Sequence, residues 1–116
     1  MASTLRELTE MQHTFDSRHS SRGRLWSQGI DKDNLSVLLE LTVALAGEVG
    51  EFANLAKKLV RGDLELDAAR PDLGSELADV FIYLVKLGEQ LGLDLEAEFR
   101  AKLVVNESRF KRFALD

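Results

Sequence analysis

Residues 45–52 read LAGEVGEF and residues 73–80 read LGSELADV. Laid over each other, leucine meets leucine, Glu48 meets Glu76, Val49 meets Leu77, Glu51 meets Asp79 and Phe52 meets Val80. The offset from Leu45 to Leu73 is 28 residues, a whole number of heptads, so both copies present matching residues on matching helix faces. The surrounding apolar positions set the type of element. Leu38, Leu41, Leu45, Val49, Phe52, Leu55 or Ala56, and Leu59 form one stripe at helical spacing, and Gly62 is placed to end it. Leu73, Leu77, Val80, Leu84, Leu87 and Leu91 repeat in a strict seven-residue pattern that ends near Gly92.

Two further helices flank this pair. Thr4 and Glu7 fit a capping box, and Leu5, Leu8, Gln12 and Phe15 recur at helical spacing, which predicts a first helix over about residues 4–18. A connection rich in glycine, serine and arginine follows, from Ser17 to Asp33, and reads as a loop of the length that usually serves a function. After the second helix a polar stretch runs to Asp72, with Pro71 marking the start of the third. Asp94 caps a fourth helix that reaches about Phe113 and carries Leu95, Phe99, Leu103, Phe110 and Phe113 on its apolar side. No segment alternates as a strand. The expected fold is all-α, an antiparallel four-helix bundle forming one domain over 1–116.

Composition sets outer limits. The 116 residues include no cysteine, which excludes disulfides, thiolate zinc sites and a cysteine nucleophile. The longest uncharged run, residues 41–47, falls far short of the roughly 18 apolar residues of a membrane span. The first residues lack the basic and apolar regions of a secretory signal, so a soluble cytoplasmic protein is expected. A net charge of −5 argues against a nucleic acid polymer as partner, because phosphate backbones are held by basic surfaces. A single nucleotide delivered with a metal ion is compatible with it.

The acid pairs carry the chemistry. Glu48 with Glu51, and Glu76 with Asp79, stand at i and i+3, about 90° to one side of each apolar stripe. Two such helices packed together hold four carboxylates at the edge of one interface, where they repel and raise each other's pKa. A hard divalent cation with oxygen ligands removes that conflict. A solvated acidic face is the plainer reading of any one pair. Gly47, Gly50 and Gly74 lie beside the acids, and each mid-helix glycine costs about 1 kcal/mol relative to alanine. They predict a close approach by a ligand or another backbone, or tight helix packing. A di-iron bundle is set aside, because neither motif supplies the Glu-x-x-His histidine.

The spacing ExxE, 24 residues, ExxD resembles the all-α nucleoside triphosphate pyrophosphohydrolases: MazG-like proteins, dCTP pyrophosphatases and dimeric dUTPases. The flanking stretches at residues 44–63 (ALAGEVGEFANLAKKLVRGD), 76–95 (ELADVFIYLVKLGEQLGLDL) and 102–110 (KLVVNESRF) are similar to that family's core segments. The resemblance covers about residues 34–113. It implies a MazG-like bundle that assembles into a homodimer or homotetramer, and Mg²⁺-dependent hydrolysis of (deoxy)nucleoside triphosphates to the monophosphate and pyrophosphate, clearing unwanted nucleotides. Mn²⁺ is an alternative ion. A dUTPase-type enzyme selective for uracil is the neighbouring expectation, and a non-catalytic helical module that binds a nucleotide or protein the more distant one.

Carried over residue by residue, the resemblance makes Glu48, Glu51, Glu76 and Asp79 metal ligands, with Glu48 also orienting or deprotonating the attacking water. Lys102, Asn106 and Arg109 follow at i, i+4 and i+7 on the fourth helix, and the family match implies contact with sugar or phosphate. Asn106 interrupts an apolar line, so a structural hydrogen bond is its other reading. Tyr83 lies one turn beyond Asp79 and is either a sugar contact or a core tyrosine. Lys58 continues the Glu51 face towards phosphate or towards solvent. His13 and Trp26 correspond to the base pocket of dCTP pyrophosphatase-like members, but the first connection is longer here, and Trp26 equally fits a residue packing the loop onto the bundle. Arg18, Arg22 and Arg24 read as a solvated basic loop, with phosphate binding in the same or a neighbouring subunit as the other reading.

Overall fold

The computed structural model describes residues 2–115, so Met1 and Asp116, the ends of the expected 1–116 domain, lie outside it. Helix α1 spans Leu5–Asp16. Its capping box is complete: Thr4 Oγ1 accepts from the Glu7 N–H at 3.1 Å, and Glu7 Oε1 accepts from the Thr4 N–H at 3.3 Å. The helix stops two residues short of the expected end, and the chain turns into a small antiparallel hairpin. Strand β1 is Ser20–Ser21 and β2 is Arg24–Leu25, with Ser20 opposite Leu25 and Ser21 opposite Arg24. Arg22 and Gly23 form the turn at φ +53° and +72°, the left-handed pair that a two-residue hairpin loop requires. Two residues per strand are too few to show a period of two, which is why the sequence reads as loop.

The rest of that connection is fastened down. The Trp26 N–H donates to the His19 carbonyl at 2.9 Å and the Ile30 N–H to the Gln90 carbonyl at 2.7 Å. Asn34 accepts from the Asp31 N–H and donates to the Gly29 carbonyl. Helix α2 then runs over Leu35–Arg61 and ends at Gly62, whose φ of +83° closes the last turn. Helix α3 spans Leu66–Gln90 and begins earlier than expected, with Pro71 inside it. In the second turn the proline removes only the bond to the Asp67 carbonyl. Ala69, two residues earlier, is buried.

Helix α4 covers Leu95–Arg109 behind the Asp94 cap, which accepts from the Ala97 N–H at 3.1 Å. A single 3₁₀ turn, Lys111–Phe113, replaces its expected last residues. Helices α2 and α3 pack along each other, α1 lies against α3, and α4 meets α1. The α1–α4 contact includes the Arg6 guanidinium, 2.7 Å from Asp94 and 3.2 Å from Glu96.

The four-helix bundle expected from the sequence does not close within one chain. No residue of α4 is fully buried, and its apolar line of Phe99, Leu103 and Phe110 is exposed. The heptad pattern of α3 splits. Leu73, Val80 and Leu87 turn inward, whereas Leu77, Leu84 and Leu91 are exposed. The radius of gyration is 17.4 Å, against about 13 Å for a close-packed chain of this length. The buried apolar core is correspondingly small, consisting of Val37, Leu41, Ala69 and Val85. Among the described residues, no helix is long and apolar enough to cross a membrane.

Candidate functional site

Residues 62–65 return the chain so that α3 packs along α2, and the repeated motif does the rest. Glu48 on α2 meets Glu76 and Asp79 on α3, with one carboxylate oxygen from each within 4.8 Å of the others. One oxygen of Glu48 and one of Glu76 are buried without a hydrogen-bond partner among the described residues. Unpaired buried carboxylate oxygens are expensive, and three acids in one place compound the expense.

The titration of these groups reflects that crowding. Loss of solvation raises the Glu48 carboxyl above the ordinary carboxylate range, and the charges of Glu51 and Asp79 raise it further. Glu76 is raised for the same first reason, then by the close approach of Glu51 and by the charges of Asp79 and Glu48. Glu51 is therefore a close neighbour of both, on the more exposed side of the cluster. The donor set is all oxygen and anionic, which fits a hard divalent cation. The glycine expectation is corrected here. A side chain at Gly47, Gly50 or Gly74 would meet nothing within 4 Å, so among the described residues no backbone packs tightly there, and the approach of a ligand or a second chain stays an expectation. The close approach is at Gly88, against Leu95.

A cavity of about 290 Å³ lies on the same seam, one helical turn from the acids on both helices. Ala44 and Tyr83 line it from α2 and α3, Trp26 from the first connection, and Lys86 and Gln90 from further along α3. Trp26 is firmly set. Its indole N–H donates to Ser21 Oγ at 2.9 Å, and its carbonyl accepts from Gln90 Nε2 at 2.9 Å. Its ring stacks on His19 at 5.1 Å, and His19 in turn stacks on Phe15 at 4.2 Å.

The expected site residues are thus distributed unevenly. Glu48, Glu76 and Asp79 converge, Glu51 adjoins them, and Tyr83 and Trp26 share the neighbouring cavity. His13 is set apart from Trp26: its Nδ1 faces Glu89 Oε1 at 3.3 Å, and it lines no part of the cavity. The histidine that meets Trp26 is His19, because the hairpin folds back and pairs the backbone of residues 19 and 26. Lys58 is half-buried near the end of α2. Lys102, Asn106 and Arg109 lie on α4, outside both the acid cluster and the cavity, with the Arg109 guanidinium over the Phe110 ring at 4.9 Å.

Lys86 and Gln90 went unremarked in the sequence, although a signal was present. With Asp79 and Tyr83 they continue one α3 face at i, i+4, i+7 and i+11. Asp16 was missed because its partners come from tertiary structure: it is buried at the end of α1, where it accepts from Gln12 Nε2 at 3.0 Å and faces Lys86 Nζ at 3.6 Å.

Comparison with known proteins gives this geometry a context. The chain is 36% identical over 84 residues to the Gene 37 protein of Mycobacterium phage L5, an alignment covering 71% of this chain and 74% of that protein. The chain belongs to the family of that phage protein. It is also 36% identical over 74 residues to dCTP pyrophosphatase 1 of Homo sapiens, which covers 60% of this chain and 44% of the human protein. No protein-family profile matches the chain, and no solved structure matches it.

Proposed function

We propose that the chain is a divalent-metal-dependent nucleoside triphosphate pyrophosphohydrolase of the MazG-like type, acting on nucleotides to keep their pool clean. The observation that carries this reading is the meeting of Glu48, Glu76 and Asp79 within 4.8 Å, with buried carboxylate oxygens left unpaired. The likeness to a protein named for pyrophosphate release from dCTP supports it. Glu48, Glu76 and Asp79, with Glu51 beside them, are the residues that would hold Mg²⁺, or Mn²⁺ in its place. A bound ion of this kind neutralises phosphate oxygens and charge developing on the leaving pyrophosphate.

The protein's own groups divide the remaining work. Glu48 orients the attacking water and takes its proton as the water oxygen bonds to phosphorus. The phosphoanhydride bond to pyrophosphate breaks, and the monophosphate remains. Trp26 and Tyr83 offer ring faces to the base and sugar in the adjoining cavity. Lys58, Lys102, Asn106 and Arg109 are assigned to phosphate or sugar. The last three lie on α4, away from the cluster, and a second copy in a homodimer or homotetramer is the means of bringing them in. His13 keeps a base-pocket role only in such an assembly.

Purified protein with Mg²⁺ is expected to release pyrophosphate from deoxynucleoside triphosphates. Glu48→Gln and Asp79→Asn should each lower turnover at least about 100-fold with the helical circular dichroism intact. Full activity in both variants, or no pyrophosphate from any nucleotide, would defeat the proposal.

A further inference from the structure

The α3 row that begins in the acid cluster passes through an unusual lysine. Asp79 and Lys86 stand seven residues apart on one face, about 10 Å at 1.5 Å per residue. Only 12% of the Lys86 side chain is exposed. Its ammonium lies 5.4 Å from the centre of the Trp26 ring and 5.5 Å from that of Tyr83, at the wall of the cavity. Asp16 balances the charge, yet at 3.6 Å it is too distant for a hydrogen bond, and its Oδ1 already accepts from Gln12. Among the described residues no acceptor lies within hydrogen-bond reach of Lys86 Nζ. The ammonium sits over both rings at cation–π distance and faces the cavity, and its N–H groups have no acceptor among the described residues, which leaves them for an oxygen entering the cavity.

The surroundings say which acceptor. Asp16 behind the ammonium and Glu40 across the cavity leave no net positive charge for a phosphate, and Arg24, the other cation there, is engaged by Glu40 at 2.7 Å. What remains is a donor for a neutral oxygen, between two aromatic faces that suit a flat ring. The volume, about 290 Å³, is at the small end of ligand cavities and fits one heterocycle. The geometry points to Lys86 as a specificity-determining residue that donates to a ring carbonyl of a nucleobase held against Trp26. Uracil, thymine, cytosine and guanine carry such an oxygen, and adenine has none. The inference deepens the nucleotide reading above by naming the class of base.

Trp26 is the single tryptophan of the chain, so its fluorescence reports occupancy of the cavity without turnover. The five deoxynucleoside monophosphates are titrated into wild-type protein, Lys86→Met and the double variant Asp16→Asn/Lys86→Met. The double variant guards against misfolding caused by an uncompensated Asp16. The four carbonyl-bearing nucleotides are expected to reach half-quenching at roughly tenfold lower concentration than dAMP. Loss of a hydrogen bond from a charged donor should weaken each of them about tenfold in either variant and leave dAMP within about twofold. Equal quenching by dAMP in the wild type, a preference that survives in both variants, or no quenching at all overturns the inference. Pyrophosphate release from the matching triphosphates is measured alongside. Activity with an unchanged preference in Lys86→Met sinks this inference alone, and a Lys86-dependent preference without pyrophosphate sinks the hydrolase reading alone.

Discussion

Glu76 sits where a carboxylate is least comfortable, desolvated and beside three others. In the metal-free protein its proton affinity, like that of Glu48, is raised by folding, so the ionised form opposes folding above the ordinary carboxylate range. Glu76→Gln should therefore raise the metal-free melting temperature at pH 7 while it abolishes turnover; a lower melting temperature would show that the acids are not in conflict. Asp94 is the opposite case. The hydrogen bond from Arg6, followed by the Ala97 N–H, holds its carboxyl below the usual range. That contribution is present above the unfolded pKa of about 3.9 and is lost as pH falls through the lower folded value. The gap in melting temperature between wild type and Asp94→Asn is expected at neutral pH and should close in acid. At Gly88 an added Cβ would lie 2.7 Å from two Leu95 carbons, so Gly88→Ala should destabilise by about 1–3 kcal/mol in urea unfolding, whereas Gly74→Ala, facing open space, should not.

At the scale of elements, legibility followed the reach of the signal. The α2 stripe, the Gly62 stop, the Thr4 box and the Asp94 cap are local codes, and each appears in the structure where its residues stand, except that Val49 of the stripe is exposed. The acid cluster was legible because the motif occurs twice in the same heptad register, so packing α2 on α3 was enough to join Glu48 to Glu76 and Asp79. Pro71 marks the helix start only approximately, because a proline this near the N-terminus of α3 forfeits a single intrahelical bond and the helix begins five residues before it. The hairpin at residues 20–25 was too short to announce itself, and with it the stacking of Trp26 on His19 rather than near His13 stayed hidden. The polar join of Asp16, Lys86 and Gln90 depends on three elements meeting, which no spacing encodes. The hairpin should be a working part of the cavity. Gly23→Val, which strains a φ of +72°, is expected to weaken nucleotide quenching of Trp26 while leaving the helical signal unchanged.

The whole molecule leaves more apolar surface uncovered than a lone chain of this size normally carries. Leu77, Leu84 and Leu91 continue a heptad seam along the outside of α3, and Phe99, Leu103 and Phe110 do the same on α4. Such seams match the homo-oligomer proposed above, and the open radius of gyration agrees with helices made to be covered by another copy. Light scattering at micromolar concentration should give a mass that is a multiple of 13.0 kDa, and Leu84→Glu should reduce it. A 13.0 kDa particle in the wild type would contradict the assembly.

An ion held between α2 and α3 is the feature on which the proposed chemistry rests, and Mn²⁺ binding followed by electron paramagnetic resonance tests it without any substrate. Wild-type protein should remove free Mn²⁺ from solution, and Glu48→Gln and Glu76→Gln should each weaken the uptake at least about tenfold. Uptake of equal strength in the wild type and both variants, or none in the wild type, would show that these carboxylates gather for some other reason.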